Sequence, residues 1–446
     1  MRITKLKLKK YKNLENFEWE LNPDYPVAVI VGKNGSGKTN LLEAIITIFQ
    51  DLQLYSELDK PNNLPDFEFE LTYQHLDDTI RIKNSSELKI WRNETAIGLD
   101  ELEPLRQDVS GGKDILPKTI FVYYAGSSLR LKNLVNKSIS QYQILSRQPN
   151  FQYALTQPLF YYEPIHYRCV FLSLFVSALD SIKEDFLKTD LKIEKLESAD
   201  FTISDADAPA YLQRFIGFLK EHGERQTTLE KNHTRYRILA ANLISEFQGN
   251  EMYLFRQVSN LALARFLTAL EFRFKKQNVA ETLKFSDLSE GEWQRIAIRG
   301  AMGIFQGEET LFLLDEPDTF AHPRWQWDFA PDLEKTIGEN RNAQAIFITH
   351  SPLVLSTIKD NDFMMMNGTI SPIDKKLYGE KLEIVLSEMQ GDSNKVEADF
   401  KNYFEFIEKG EGESPEASEI RKVLEEKYGV NHSEIARADM WIAFYK

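Results

Sequence analysis

The distribution of hydrophobic and polar positions along the chain predicts an α/β core. Residues 27–31, Val-Ala-Val-Ile-Val, form a continuous apolar run, which is typical of a strand buried on both faces of a sheet. Similar runs occur at 119–124, 311–314 and 344–349. Apolar residues at helical spacing over 41–49 follow the first run. We therefore expect strands that alternate with helices around a mixed sheet.

The flanking and middle regions have different patterns. The beginning of the chain predicts two short strands around a turn, and residues 67–91 predict a small antiparallel meander. From 125 to 284, aromatic and aliphatic residues recur at helical spacing between charged runs, which predicts an inserted, mainly helical lobe. The expected domains are an α/β head made of 1–124 and 285–377, the lobe at 125–284, and a C-terminal helical segment at 378–446.

The charge of the chain limits how it could contact nucleic acid. The 446 residues carry a net charge of −14, whereas proteins that follow a phosphate backbone are usually basic. We therefore expect nucleic acid to be contacted only through a partner or a local patch. The candidate patch is Lys5, Lys7, Lys9, Lys10 and Lys12. The interpretation that we favour for these lysines is the solvated face of an edge strand, where they discourage aggregation.

Other features concern the cellular compartment. No segment approaches the roughly 20 uninterrupted apolar residues of a membrane span. The basic N-terminal segment is not followed by an apolar run of signal-peptide length. Cys169 is the single cysteine, which excludes an intramolecular disulfide and argues against a cysteine-based zinc site. We expect a cytoplasmic protein without membrane association.

Residues 32–39, Gly-Lys-Asn-Gly-Ser-Gly-Lys-Thr, match the Walker A pattern between a predicted strand and helix. Glycines let the backbone N–H groups point inward, and the helix N-terminus adds partial positive charge for phosphates. Lys38 is expected to reach the β- and γ-phosphates, and the Thr39 hydroxyl to bind Mg²⁺. ATP and Mg²⁺ are the expected cofactors. The predicted nucleotide-binding residues of this loop are Gly32, Asn34, Gly35, Ser36, Gly37, Lys38 and Thr39.

Further polar residues follow two of the apolar runs. Asp315 and Glu316 come after 311–314, and two carboxylates at a buried strand end require a cation nearby, because unpaired buried charge is costly. Asp315 is expected to hold Mg²⁺, and Glu316 to act as the general base for the attacking water. His350 follows the next strand, which we expect beside that of Asp315. This predicts a catalytic histidine near the γ-phosphate, with a purely structural histidine as the alternative.

Residues 288–294, Leu-Ser-Glu-Gly-Glu-Trp-Gln, open a predicted helix ahead of these carboxylates. Ser289 is a good helix cap, and Gly291 permits close backbone approach. In order and spacing the segment resembles the LSGGQ signature of ABC-type ATPases, with Glu290 and Glu292 where that form has Gly and Gln. The resemblance implies that Ser289 and Gly291 contact the γ-phosphate of ATP held by the other protomer. It therefore implies a homodimer or a higher homo-oligomer assembled around ATP.

Within that class the chain resembles the soluble branch of SMC, RecF and OLD-type ATPases, over about 1–50 and 285–370. More narrowly, TLFLLDEPDTFAHPRW, YYAGSS and GVNHSEIAR resemble PtuA-type ATPases of Septu antiphage systems, which act beside an HNH nuclease. His322 stands where that pattern often has Asn. A Q-loop glutamine does not directly follow the 119–124 strand, and Gln141 and Gln143 are the candidates.

Nuclease features that the sequence does not show bear on the expected partner protein. The chain after His350 is too short for the Toprim domain of OLD-type nucleases and lacks a DxD pattern, and the 7 histidines are scattered. A nuclease, if present, is expected on a separate polypeptide, of the HNH type. Three functions remain open: the ATPase of an antiphage defence complex, which we favour, a RecF- or SMC-like DNA repair or DNA-clamping ATPase, and the nucleotide-binding subunit of a transporter.

Overall fold

The structure is a computed structural model, and the residues that it describes are a subset of the chain. They are 1–32, 35–53, 64–99, 115–126, 129–145, 159–227, 231–305, 309–319, 321–338, 343–358, 363–366, 370–372, 395–428, 435, 437–439 and 441–442. Within these residues, no helix is both long enough and apolar enough to span a membrane.

The elements have the following bounds. The strands are β1 (Arg2–Tyr11), β2 (Leu14–Glu20), β3 (Val27–Val31), β4 (Phe69–His75), β5 (Asp78–Asn84), β6 (Leu88–Arg92), β7 (Thr95–Ile97), β8 (Thr119–Tyr124), β9 (Leu159–Tyr161), β10 (Ile193–Ser204), β11 (Glu224–Gln226), β12 (His233–Leu239), β13 (Leu267–Lys276), β14 (Leu283–Lys284), β15 (Thr310–Asp315), β16 (Ala343–Ile348), β17 (Phe363–Met366) and β18 (Ile370–Pro372). The α-helices are α1 (Lys38–Gln53), α2 (Arg130–Leu145), α3 (Pro164–Leu174), α4 (Ala210–His222), α5 (Ala240–Phe247), α6 (Glu251–Leu263), α7 (Glu290–Arg295), α8 (Ala301–Phe305), α9 (Pro323–Gly338), α10 (Pro352–Leu355), α11 (Lys395–Glu408) and α12 (Pro415–Tyr428). The described residues also include two π-helical segments, Ser181–Asp190 and Ile296–Gly300, and a 3₁₀ turn at Phe285–Asp287.

A seven-stranded sheet, in the order β18-β17-β3-β16-β15-β8-β9, positions the candidate site. Its neighbouring strands are parallel except for the pair of β17 and β18. β3, β15 and β16 are buried along their whole length, as their continuous apolar sequences predict. Because parallel strands end at one edge of a sheet, the polar residues that follow these strands lie close together.

A six-stranded antiparallel sheet, in the order β2-β1-β4-β5-β6-β7, contains the predicted N-terminal strand pair and meander. One apolar cluster joins its inner face to α1 and to the seven-stranded sheet. The buried side chain of Gln344 links the two sheets through the backbone of Ile3: it accepts from Ile3 N at 2.8 Å and donates to Ile3 O at 3.2 Å. These bonds satisfy backbone groups of β1 that water does not reach.

The lysines of β1 face neighbouring carboxylates. The strand lies between β2 and β4, so the prediction of an edge strand is wrong. Four of the lysines pair with exposed glutamates, and ion pairs of this kind contribute little stability, about 0–1 kcal/mol each. The glutamate that pairs with Lys12 is buried. The ion pairs nevertheless place a glutamate beside every lysine of the candidate nucleic-acid patch, which therefore has little net positive charge. The pairs are Lys5 with Glu18 and Glu20, Lys7 with Glu18, Lys9 with Glu68, Lys10 with Glu15, and Lys12 with Glu43.

The inserted lobe contains a sheet that the sequence pattern did not predict. β11, β12, β10, β13 and β14 form it in that order, all antiparallel, and α4, α5 and α6 pack against it. Register shifts interrupt the pairing of β10 with β13, so the apolar alternation that would indicate strands is broken there. The segment 159–161 also departs from the expected lobe, because β9 pairs with β8 in the seven-stranded sheet.

The chain divides into two compact units, Met1–Lys376 and Leu377–Lys446. The second unit contains α11 and α12, which pack through an apolar cluster of their own that includes Phe400, Tyr403 and Leu424. Pro415 begins α12, a position where its missing N–H costs no hydrogen bond.

Candidate active site

The loop between β3 and α1 has a backbone that requires glycine. Gly32 has φ +151°, and a Cβ there would lie 2.2 Å from the backbone oxygen of Met366. Gly37 has φ +106°, and a Cβ there would lie 2.8 Å from Leu14 Cδ2. The left-handed conformation and the lack of space both exclude other side chains. Asn34 lies outside the described residues, so its predicted role is not addressed by the structure.

Two side chains of the loop have features that suit a phosphate site. The Ser36 hydroxyl oxygen is buried, and it has no hydrogen-bond partner among the described residues. Lys38 is 6% exposed, and its ammonium donates to the backbone oxygen of Gly32 at 2.7 Å. Burial lowers the pKa of Lys38, while the negative charges of Asp315 and Glu316 oppose that shift. The Lys38 ammonium therefore lies across the loop.

Asp315 lies beside the start of α1. It is 1% exposed and accepts a hydrogen bond from the Thr39 hydroxyl, with 2.9 Å between Oγ1 and Oδ2. Burial raises the pKa of Asp315 to about 6, and the bond from Thr39 opposes the rise. A hydroxyl and a carboxylate are hard oxygen donors, which fit Mg²⁺. In the described part of the chain no group of three or more His, Cys, Asp or Glu forms a metal cage. Two protein ligands suffice for Mg²⁺ when phosphates and water supply the others.

Glu316 and His350 lie next to each other at the same edge of the sheet. Glu316 has φ +53°, rare for a residue with a side chain, and its N–H donates to Ile348 O at 2.9 Å. Its Oε1 is 3.8 Å from His350 Nε2. Burial and the charge of Lys38 lower the pKa of His350, and Glu316 opposes them. The imidazole is therefore neutral near pH 7, and it donates a hydrogen bond through one nitrogen and accepts one through the other.

Residues on both sides of His350 are hydrogen-bonded to the segment that follows β15: Thr349 to its loop and Ser351 to helix α9. The prediction that the strand before His350 lies beside that of Asp315 is confirmed, since β15 and β16 pair in parallel. Thr349 donates from its hydroxyl to Asp318 Oδ2 at 2.8 Å, and the Ser351 hydroxyl donates to Gln326 Oε1 at 2.9 Å. Burial raises the pKa of Asp318 to about 6. Sequence reasoning missed these partners, although a polar triplet after an apolar strand was a signal for Thr349 and Ser351.

The signature segment begins α7 with a reciprocal cap. The Ser289 hydroxyl accepts from Glu292 N at 3.3 Å, and the Glu292 carboxylate accepts from Ser289 N at 2.9 Å. Burial alone would raise the pKa of Glu292, but hydrogen bonds from Lys276 and Ser289 lower it overall. Glutamate in place of the usual Gln of the signature therefore has a local structural role.

The signature helix also contacts the segment that follows Glu316. A Cβ at Gly291 would lie 2.4 Å from Trp325 Cζ3, so this glycine lies against the indole. The Arg295 guanidinium lies 4.6 Å from the centre of the Trp325 ring, and the amide of Gln294 donates to Pro317 O. The described contacts of Ser289 and Gly291 are with these neighbours and not with the Walker A loop of the same chain.

The region after β8 holds the remaining predicted residues. The Q-loop candidates Gln141 and Gln143 have their backbones in α2, and the structure does not describe their side chains. Near the start of that helix, Arg130 reaches Asn40 at 2.6 Å and Glu43 at 2.9 Å, both on α1. These partners, which sequence reasoning did not identify, attach α2 to the helix that begins at the phosphate loop.

The structure thus brings Gly32, Lys38, Thr39, Asp315, Glu316 and His350 to one edge of the sheet, and leaves Ser289 and Gly291 on a separate helix. A glycine loop with a cation, a hydroxyl–carboxylate pair and a carboxylate–imidazole pair can bind a nucleotide triphosphate and activate a water molecule.

Comparison with known proteins agrees with this chemistry. A family model described as "AAA domain, putative AbiEii toxin, Type IV TA system" matches residues 27–356. The chain is similar to the Retron Ec83 probable ATPase of Escherichia coli, with 30% identity over 213 residues. It is also similar to the DNA replication and repair protein RecF of Cronobacter sakazakii, with 42% identity over 59 residues.

These matches are partial. The first covers 41% of this chain and 38% of the retron protein, and the second covers 12% of this chain and 16% of RecF. The SMC head domain from Thermotoga maritima aligns over 84% of this chain and 100% of its own, at 16% identity and a TM-score of 0.36. The family model, by contrast, spans most of the chain, from β3 to the segment after His350. The chain therefore belongs to the family described as AAA domain, putative AbiEii toxin, Type IV TA system.

Proposed function

We propose that this protein is an ATPase that acts as a switch: it dimerises around ATP, and each Walker A loop is completed by the signature segment of the other protomer. The observation that carries the proposal is that the two predicted parts of the nucleotide site, the Walker A cluster and the signature segment, lie apart within one chain. Lys38, Asp315 and Glu316 belong to one cluster, whereas the contacts that Ser289 and Gly291 make within the described residues are with their own helix and Trp325. A second copy would bring an exposed helix N-terminus, with its partial positive charge, to the γ-phosphate.

Each residue of the cluster has a proposed role. The backbone of the Gly32–Thr39 loop and the Lys38 ammonium bind the phosphates. Thr39 and Asp315 hold Mg²⁺, which when bound would neutralise phosphate charge. Glu316 takes the proton of the attacking water, and His350 donates a hydrogen bond to the γ-phosphate. The hydrogen bonds of Thr349 with Asp318 and of Ser351 with Gln326 hold His350 in its position beside Glu316.

A mixing experiment tests whether the sites are shared between chains. Ser289→Arg blocks the signature with a bulky cation, and Lys38→Ala disables the Walker A loop, so each variant alone has two defective sites. A mixed dimer pairs the intact loop of one chain with the intact signature of the other and restores one site. We expect partial recovery of hydrolysis on mixing. Ser289→Ala, which removes the helix cap at a cost of about 1 kcal/mol but adds no bulk, is the matched control.

If mixed dimers form and yet remain inactive, a photoreactive group at position 289 distinguishes two explanations. Labelling of the nucleotide bound to the same chain would argue against shared sites. Labelling of the partner's nucleotide in the same experiment would show instead that hydrolysis needs both sites together.

We further propose that the ATP-bound dimer regulates a separate nuclease, of the HNH type, in an antiphage defence complex. The similarity to a retron ATPase supports this role. The DNA-clamping alternative has less support, because the RecF match is short and the basic residues of β1 are paired with glutamates. A phage plaque assay with the native gene neighbourhood, comparing wild type with Glu316→Gln, tests the role. Equal protection by both, or DNA binding by the isolated ATP-bound dimer, would count against it.

A further inference from the structure

Tyr123 and Tyr124, the last two residues of β8, lie on opposite faces of the sheet. β8 and β15 are parallel neighbours in which Tyr124 pairs with Asp315 and Tyr123 with Leu314. Laterally paired residues extend from the same face of a sheet, and successive residues from opposite faces. Asp315 faces α1, because it accepts a hydrogen bond from Thr39. Tyr124 therefore extends on the side of the phosphate loop, and Tyr123 on the other side.

The neighbours of the two tyrosines agree with this assignment. Tyr123 lies near Gln294 of the signature helix and Tyr167 of α3, which both affect the pKa of its hydroxyl. Tyr124 lies instead within electrostatic range of the catalytic carboxylates. Burial is the largest cause that raises the pKa of Tyr124, and the charges of Asp315 and Glu316 are the next largest.

Gly126 restricts the direction of the Tyr124 phenol. A Cβ at Gly126 would lie 2.2 Å from Tyr124 Oη and 2.3 Å from its Cζ, so the backbone at Gly126 lies directly against the hydroxyl end of the ring. No side chain larger than hydrogen fits there while the ring keeps this position. Among the described residues the Tyr124 hydroxyl has no hydrogen-bond partner. The site therefore contains an oriented hydroxyl on the strand next to that of Asp315, within electrostatic range of Asp315 and Glu316.

We propose that Tyr124 is a positioning residue of the ATPase site, and that its hydroxyl donates a hydrogen bond to the Asp315 carboxylate when Mg²⁺ and ATP are bound. Thr39 already donates to Oδ2 of Asp315, so a second donor from β8 would hold the carboxylate from its other side. Tyr124 acts through Asp315 and does not take part in proton transfer. The inference rests on the proposed role of Asp315 in holding Mg²⁺.

Nucleotide binding measured without turnover tests this role. In the Glu316→Gln background, calorimetry gives the ATP affinity with EDTA and with Mg²⁺, and the ratio of the two is the gain that the metal confers. Tyr124→Phe removes one hydroxyl and keeps the ring against Gly126. We expect the affinity in EDTA to be unchanged and the gain from Mg²⁺ to fall about 10- to 150-fold, as for one lost hydrogen bond to a charged group.

Two control variants separate the possible failures. Tyr123→Phe removes the same group from the preceding residue on the opposite face, and it should leave the gain from Mg²⁺ as in wild type. Asp315→Asn should abolish the gain.

An unchanged gain in Tyr124→Phe, together with its loss in Asp315→Asn, would overturn the inference and leave the proposed magnesium site intact. An equal loss in Tyr123→Phe and Tyr124→Phe would also overturn it, since it would reflect the packing of β8. A gain that persists in Asp315→Asn would overturn the magnesium site itself.

Discussion

Thr39 and Asp315, which are 276 positions apart in the chain, are joined by a hydrogen bond of 2.9 Å from the hydroxyl to the carboxylate. The bond connects the first turn of α1 to the end of β15, and so connects the Walker A loop to the carboxylates of Asp315 and Glu316. Within the described residues, the nearly inaccessible carboxylate of Asp315 has one neutral donor, Thr39, as its directly bonded partner. This arrangement is suited to a bound cation, and it has a measurable consequence for stability.

Asp315→Asn should stabilise the unliganded protein above pH 6. Burial raises the folded-state pKa of Asp315 from 3.8 to about 6, so the ionised form is disfavoured in the folded state. The stability associated with this group is present below about pH 4 and is lost as the pH rises through about 6. Asparagine does not ionise, and its oxygen can still accept from Thr39. We expect a free energy of unfolding on the order of 3 kcal/mol higher at pH 8, with no difference near pH 4.

Urea unfolding in EDTA without nucleotide measures this difference. Glu290→Gln, which changes an exposed carboxylate of α7, is the control and should have little effect. A less stable Asp315→Asn protein at pH 8 would contradict the burial argument.

Lys38→Ala should weaken ATP binding. The variant removes the cation that lies across the phosphate loop, and charge-assisted hydrogen bonds contribute about 1.5–3 kcal/mol, so the Kd should rise about 10- to 150-fold. Calorimetric titration with ATP measures the change. Lys83→Ala, at an exposed lysine of β5, controls for loss of net charge. Equal ATP affinities of the Lys38→Ala protein and wild type would contradict the assignment of residues 32–39 as a phosphate-binding Walker A loop.

Glu316→Gln should separate binding from hydrolysis. Glutamine keeps the size and the backbone conformation at φ +53° but cannot accept a proton from water. We expect hydrolysis to fall about 10²- to 10⁴-fold, with ATP affinity unchanged. The ATP-bound dimer should then accumulate in size-exclusion chromatography. Near wild-type turnover would mean that another residue is the base, and His350, 3.8 Å away, would be the first to test.

Gly291→Ala should destabilise the signature helix through Trp325. The added methyl would lie 2.4 Å from the indole, and overpacking of this kind costs about 1–3 kcal/mol. The effect should shrink in a Trp325→Leu background, where the indole is absent. A double-mutant cycle measured by urea unfolding gives the coupling between the two positions, which we expect to exceed about 1 kcal/mol. Independent effects of the two changes would show that Gly291 does not contact Trp325 in solution.

Several parts of the site were predictable from sequence because their determinants are local. The apolar run of Val27–Val31 specifies a buried strand, and the glycines that follow it specify a loop that other residues cannot form. The same holds for β15, which ends at Asp315. The Ser289 cap was likewise predictable, because its partner Glu292 is three residues away.

Tertiary structure alone decided which of these local features meet. The order β3-β16-β15-β8 places His350 beside Glu316 and Tyr124 beside Asp315, and strand order depends on long-range pairing that no short pattern encodes. The same reason applies to β1, whose lysines suggested a basic edge until pairing with β2 and β4 placed glutamates beside them. In the lobe, shifts of register between β10 and β13 removed the alternation by which a sheet is recognised in sequence. The sequence by itself thus determined the phosphate loop, the carboxylates and the helix cap, because each depends on neighbours within a few residues. Strand order and register decided their partners, because those contacts join residues that lie far apart in the chain.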